Sequence, residues 1–123
     1  MKFSSLARIA SSVVTATREK LPPEIRELAR AVPVVHQRTP DESILAEGFE
    51  PDLLGLFTGA PHGAASDQGQ PEPPHILLYL TNLWDYAEED ESVFRVEVRL
   101  TYLHELGHYL GWNEDQIADR GLD

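Results

Sequence analysis

Apolar residues return along this chain in two rhythms: spacings of three and four, which mark helices, and short unbroken runs, which mark strands. Leu6, Ile9, Val13, Val14 and Thr17 share one stripe of an amphipathic helix. Arg8 and the serines at 4, 5, 11 and 12 interrupt that stretch, so it reads as a helix and not as a signal peptide. Pro22 and Pro23 stop it and preset a second helix, in which Ile25, Leu28, Ala29 and Val32 recur until Pro33 ends it. Three runs of strand length follow, "VPVVHQ", "LLGLFTG" and "HILLYL". Asp90, Glu91 and Ser92 then supply the cap and first-turn acids of a long helix. Its apolar stripe reads as Val93, Val96, Leu100, Leu103, Gly107 and Leu110, and Gly111 stands where a helix ends.

Two connections stand out between these elements. "TPDESILAEGFEPD" is turn-rich and polar, and reads as a surface link. "GAPHGAASDQGQPEPP", residues 59–74, is nearly free of bulky apolar side chains and long for so small a chain, which reads as a mobile or disordered loop. The tail "WNEDQIADRGLD" has room for one short helix. Two helices, about three strands, a long helix and a short one make an α+β layout, and 123 residues suit a single domain spanning 1–123.

Charge narrows the choice of partner. Seven of the ten Lys and Arg lie in residues 1–40 with three of the 21 acids, leaving three cations and eighteen acids in residues 41–123. A net charge of −11 argues against a nucleic-acid partner, since phosphate binding needs a basic field. The basic N-terminal segment reads as a solvated helix face, or as a surface that docks on acidic residues of this chain or of a partner. No apolar run is long enough to cross a bilayer, so no membrane partner is expected. Without cysteine there is no disulfide framework and no thiolate metal site, and the cytoplasm is the expected compartment.

The chemistry is concentrated in "YLHELGHYLGWNED", residues 102–115. Side chains four apart on a helix project from nearly the same face, so His104 and His108 can offer imidazole nitrogens to one point. Glu105 lies about a quarter-turn away, near that point but not aimed at it. Two neutral nitrogen ligands on one rigid helix, with a carboxylate beside them able to take a proton, are what a hydrolytic zinc site needs. Such sites use three protein ligands, and a helix that continued past residue 111 would carry the next side chains away. A break at Gly111 lets the chain turn back, so that Glu114 or Asp115 closes the set, with Glu114 the choice made here. Tyr79, Tyr102 and Tyr109 are candidate oxyanion donors. Trp112 reads as packing, as does Tyr109 if it is not a donor. The isolated His36, His62 and His75 read as structural or exposed.

"HELGHYLGWNE" is similar to the zincin pattern His-Glu-x-x-His-x-x-Gly-x-x-(His/Asp/Glu), as in the metzincin peptidases. The chain more closely resembles small bacterial zincin-like proteins with a minimal matrix-metalloproteinase-like fold, from "LPPEIRELARAVPVV" through "LLGLFTG" and "ILLYLTNLWD" into "VRLTYLHELGHYLG". That resemblance implies a small mixed sheet packed on the active-site helix, and a zinc-dependent peptidase holding one Zn2+ on His104, His108 and Glu114, with Glu105 as catalytic base. It implies a peptide or protein substrate, which an extended backbone could bring to the edge of "HILLYL". The chain departs from metzincins in having no methionine beyond Met1, an acid as third ligand and only nine residues after Glu114. Those departures keep two alternatives in view, a metal-binding interaction module without turnover and a zinc hydrolase of a non-peptide substrate.

Overall fold

The computed structural model describes residues 1–63 and 72–119, apart from the side chains of Glu114, Ile117 and Ala118. Its elements run α1 (Phe3–Glu19), α2 (Pro23–Ala29), β1 (Val34–Gln37), α3 (Glu42–Ala46), β2 (Gly55–Thr58), β3 (His75–Tyr79), α4 (Leu80–Tyr86), α5 (Glu91–Tyr109) and α6 (Glu114–Asp119). The class is α+β, as the periodicity predicts. The three strands form one mixed sheet in the order β1-β3-β2. β1 lies parallel to β3 with Val35 opposite Leu77, and β2 lies antiparallel to β3 with Leu56 opposite Leu77.

β3 is therefore the central strand, buried from Ile76 to Tyr79, and both of its edges are taken. "HILLYL" has no open edge to offer a peptide, contrary to the sequence-based expectation. A strand apolar on both faces belongs in the middle of a sheet, and the outer places fall to β1 and β2, whose residues are mostly only half buried.

One core lies between the inner sheet face and the helices. Ile76 and Leu78 from β3 meet Leu6, Ile9, Ala10 and Val14 of α1, Leu83 of α4 and Phe94, Val98 and Leu106 of α5. The α1 stripe thus faces inward as its spacing predicts. Each fully buried Leu or Phe contributes about 1.5–3 kcal/mol from area alone, against about 1 kcal/mol for a cap. Packing fixes where the helices lie, and caps fix where they stop.

The inward face of α5 differs from the one expected. Phe94, Val98, Tyr102, Leu106 and Tyr109 form its buried centre, with Leu103 and Gly107 beside them. Val93 and Val96 instead stand 42% and 49% exposed. The helix is apolar over a wide arc, and the three large aromatic rings at 94, 102 and 109 claim the core. The valine pair is left on the flank.

Two short helices are additions to the predicted layout: α3 lies in the segment that reads as a surface link, and α4 follows the run "HILLYL" where no element is predicted. In α3 the Asp41 carboxylate accepts a hydrogen bond from the Ile44 amide at 3.0 Å, an N-cap with Glu42 behind it. α4 begins at Leu80 directly after β3, with no side-chain cap. It ends through amide bonds from Glu88 to the Asp85 carbonyl and from Glu89 to the Trp84 carbonyl, and Glu88 has φ +56° and Glu89 φ +61°. This is the paired closure that glycine usually makes, built here from glutamates. A non-glycine residue in the left-handed region costs roughly 1 kcal/mol, so Glu88→Gly should raise stability by up to about that much, measured as a higher urea midpoint at unchanged slope.

Candidate metal centre

α5 carries the two histidines in its last turns, and its end is closed by a matched pair of bonds. The Gly111 amide donates to the His108 carbonyl at 2.9 Å, and the Trp112 amide donates to the Gly107 carbonyl at 3.0 Å. Gly111 has φ +84°, the left-handed turn that this closure requires. The helix stops where the glycine predicts. The chain reverses into α6, which Asn113 caps: the Asn113 side chain accepts from the Gln116 amide at 2.8 Å, and the Gln116 side chain accepts from the Asn113 amide at 2.9 Å. Glu114 is thereby the first residue of α6, three beyond the glycine. Its side chain lies outside the described residues. Asp115 is exposed on α6.

His104 and His108 stand together. Their rings lie 4.8 Å apart between centroids, at 82° to one another, and their Nε2 atoms are 3.3 Å apart. Two nitrogens each about 2.05 Å from one ion at the tetrahedral angle would be about 3.3 Å apart. A ring N–H of one tautomer can also reach the other ring at this distance, but the mutual orientation already suits a shared cation. Glu105 completes the cluster, its carboxylate oxygen and the two ring nitrogens all lying within 4.8 Å of one another. The residues present therefore fit a zinc site of the His-Glu-x-x-His type.

Glu105 is held by a group that the sequence pattern did not reveal. The Phe57 backbone amide donates to Glu105 Oε1 at 2.9 Å. The Tyr79 amide bonds the Leu54 carbonyl at 3.0 Å, so in the antiparallel pairing the even residues of β2 face β3 and Gly55 and Phe57 turn their backbone groups outward. That outer edge runs beside an open cleft of about 320 Å3 lined by Leu53, Leu54, Gly55, Leu100, Thr101, His104 and Glu105. The edge stays close to α5 because residue 55 has no side chain. A Cβ there would meet Thr101 Cγ2 at 2.5 Å and the Leu77 carbonyl at 3.0 Å.

The other candidates sort themselves by burial. Tyr79 and Tyr102 are fully buried and do not line the cleft, so neither is placed as an oxyanion donor. Tyr109 is buried with its ring edge-on to Phe57. Its carbonyl accepts from the His62 amide at 2.7 Å, and the exposed His62 ring tilts against it. The long loop is thus pinned near the end of α5 at one side. Its middle, residues 64–71, lies outside the described residues, and so does any test of its mobility. His75 meets the Thr58 hydroxyl. His36 is half buried, and burial holds its pKa below the usual histidine value.

The family model of zincin-like metallopeptidases matches residues 29–122 of the chain. No curated protein matches it.

Gly55→Ala should force β2 and α5 apart and cost about 1–3 kcal/mol in urea unfolding. Thr101→Ser, which removes the nearer obstacle, should restore part of that loss in the double variant. Tyr79 gives a prediction at alkaline pH. Burial, and behind it the Asp41 carboxylate, push its pKa from 10.0 up to about 12. The unfolded chain therefore releases this proton first, so stability present below pH 10 is lost as pH rises towards 12. Unfolding of Tyr79→Phe over that range should show a shallower decline than the parent protein.

Proposed function

The chain belongs to the zincin-like metallopeptidase family, and from that membership we propose that it is a zinc-dependent peptidase in which His104, His108 and Glu114 hold one zinc ion and Glu105 is the general base. The observation that carries the reading is the 3.3 Å separation of the two Nε2 atoms, with the Glu105 carboxylate beside them. Zinc, when bound, polarises the scissile carbonyl and lowers the pKa of the attacking water towards about 7.

The protein's own groups supply the rest. The Phe57 amide fixes one oxygen of Glu105, which orients the carboxylate towards the histidine pair. Glu105 takes the proton of the attacking water and passes it to the departing amine. An extended peptide adds to the outer edge of β2, where Gly55 presents main-chain groups to the cleft while the Phe57 amide stays on Glu105. Leu53, Leu54 and Leu100 line the same cleft and receive an apolar side chain of that peptide. Glu114 is assigned as the third ligand on the sequence pattern, and the Gly111 turn and the Asn113 cap support that reading by starting α6 at residue 114. As an acid it reduces the net charge of the site relative to a third histidine.

Metal analysis with a peptide-library assay tests this reading. The parent protein should hold one zinc, and His104→Ala and Glu114→Ala should lose it on mild chelation. Glu105→Gln should keep the metal and lose hydrolysis by about 100-fold or more. Undiminished cleavage by Glu105→Gln would sink the base assignment. Retained zinc with no cleavage by the parent protein would favour the binding module instead.

A further inference from the structure

A cavity larger than the cleft beside the metal centre lies elsewhere on the protein. A groove of about 590 Å3 runs between α1 and α5, closed by Leu21 and Pro22. Val13, Ala16, Leu21, Val96 and Leu103 make its apolar lining. Ala16 and Val96 are exposed there, so this apolar surface has no cover among the described residues. One bank of the groove, α1, precedes residue 29 and so lies outside the segment that the family model matches.

Charge identifies what the groove suits. Lys20 stands on one side and Arg95 and Arg99 on the other, and among the described residues no acid lines it. This is unusual for a chain of net charge −11. Residues 41–123 hold only three cations, Arg95, Arg99 and Arg120, and two of them are here. Arg95 is shared with Glu91 in an exposed pair at 3.0 Å, whereas Lys20 and Arg99 make no ion pair among the described residues.

We propose that this groove docks an amphipathic helix of a partner protein, one whose apolar stripe is flanked by carboxylates. The lining spans eight residue steps on each bank, Ser12 to Lys20 and Arg95 to Leu103, or ~12 Å at the helical rise. Anchors at i, i+3 or i+4, and i+7 on a docked helix span ~10.5 Å, which this length accommodates. Cations on both banks match acids on both flanks of such a helix, whereas a fatty-acid-like ligand would bring a single head group.

The test uses the full chain and a labelled synthetic helix with leucines at the anchor positions and glutamates beside them, followed by fluorescence anisotropy. Saturable binding is expected, lost when the glutamates become lysines or the leucines serines. Arg99→Glu and Val96→Asp, both at exposed positions, should each weaken it about tenfold, with circular dichroism confirming that the variants fold. No binding, equal binding of the lysine peptide, or insensitivity to Arg99→Glu would overturn the proposal. So would displacement of the peptide by stoichiometric dodecanoate, which would mark a site for a small anionic amphiphile.

Discussion

One hydrogen bond ties the sheet to the chemistry: the Phe57 amide to the Glu105 carboxylate, 2.9 Å long and bridging 48 residues of sequence. It couples the outer strand to the helix that carries both histidines. Three independent features are needed for it. Gly55 must lack a side chain so that β2 can lie close to Thr101. The pairing of β2 with β3 must set Phe57 outward. Phe94, Val98 and Leu106 must anchor α5 in the core so that Glu105 meets the strand. A carboxylate tied to the backbone in this way has lost rotamer freedom on folding, which would favour the proton-transfer role proposed for it.

Much of this was legible in the sequence because the signals are local. The histidine spacing, the glycine stop and the three strand-length runs each depend on residues that are neighbours in the chain. What was missed depends on neighbours in space or on unusual local choices. α4 has no side-chain cap at its start and closes on Glu88 and Glu89 in place of glycine, so neither boundary carries its usual mark. α3 has an N-cap, Asp41, but only five residues, too few for a periodicity to show. The central place of β3, and with it the loss of the expected docking edge, follows from pairings with segments some forty and some twenty residues away in the chain.

The long helix shows the same division between local and non-local information. Its sequence offers two apolar stripes, and spacing alone favours the one that holds Val93 and Val96. Shape decides otherwise. Phe94, Tyr102 and Tyr109 bury their rings, and only Leu103 and Gly107 of the expected stripe are buried with them. One helix therefore serves three surroundings: the core, the histidine cluster and the flank beside α1. That economy places a candidate metal centre and a second apolar surface on a single element.

The tight closure at Gly111 has an electrostatic corollary. Peptide dipoles add along α5 to leave a partial negative charge at its C-terminal end, in the turn that holds His108. The amides of Gly111 and Trp112 cap two of the last carbonyls there, and the aligned dipole of the preceding turns still points its negative end that way. A dication held by these imidazoles would sit in a potential that favours it, by about 0.3–1 kcal/mol per unit charge near the surface. The backbone would thus act as a weak counter-charge to such an ion.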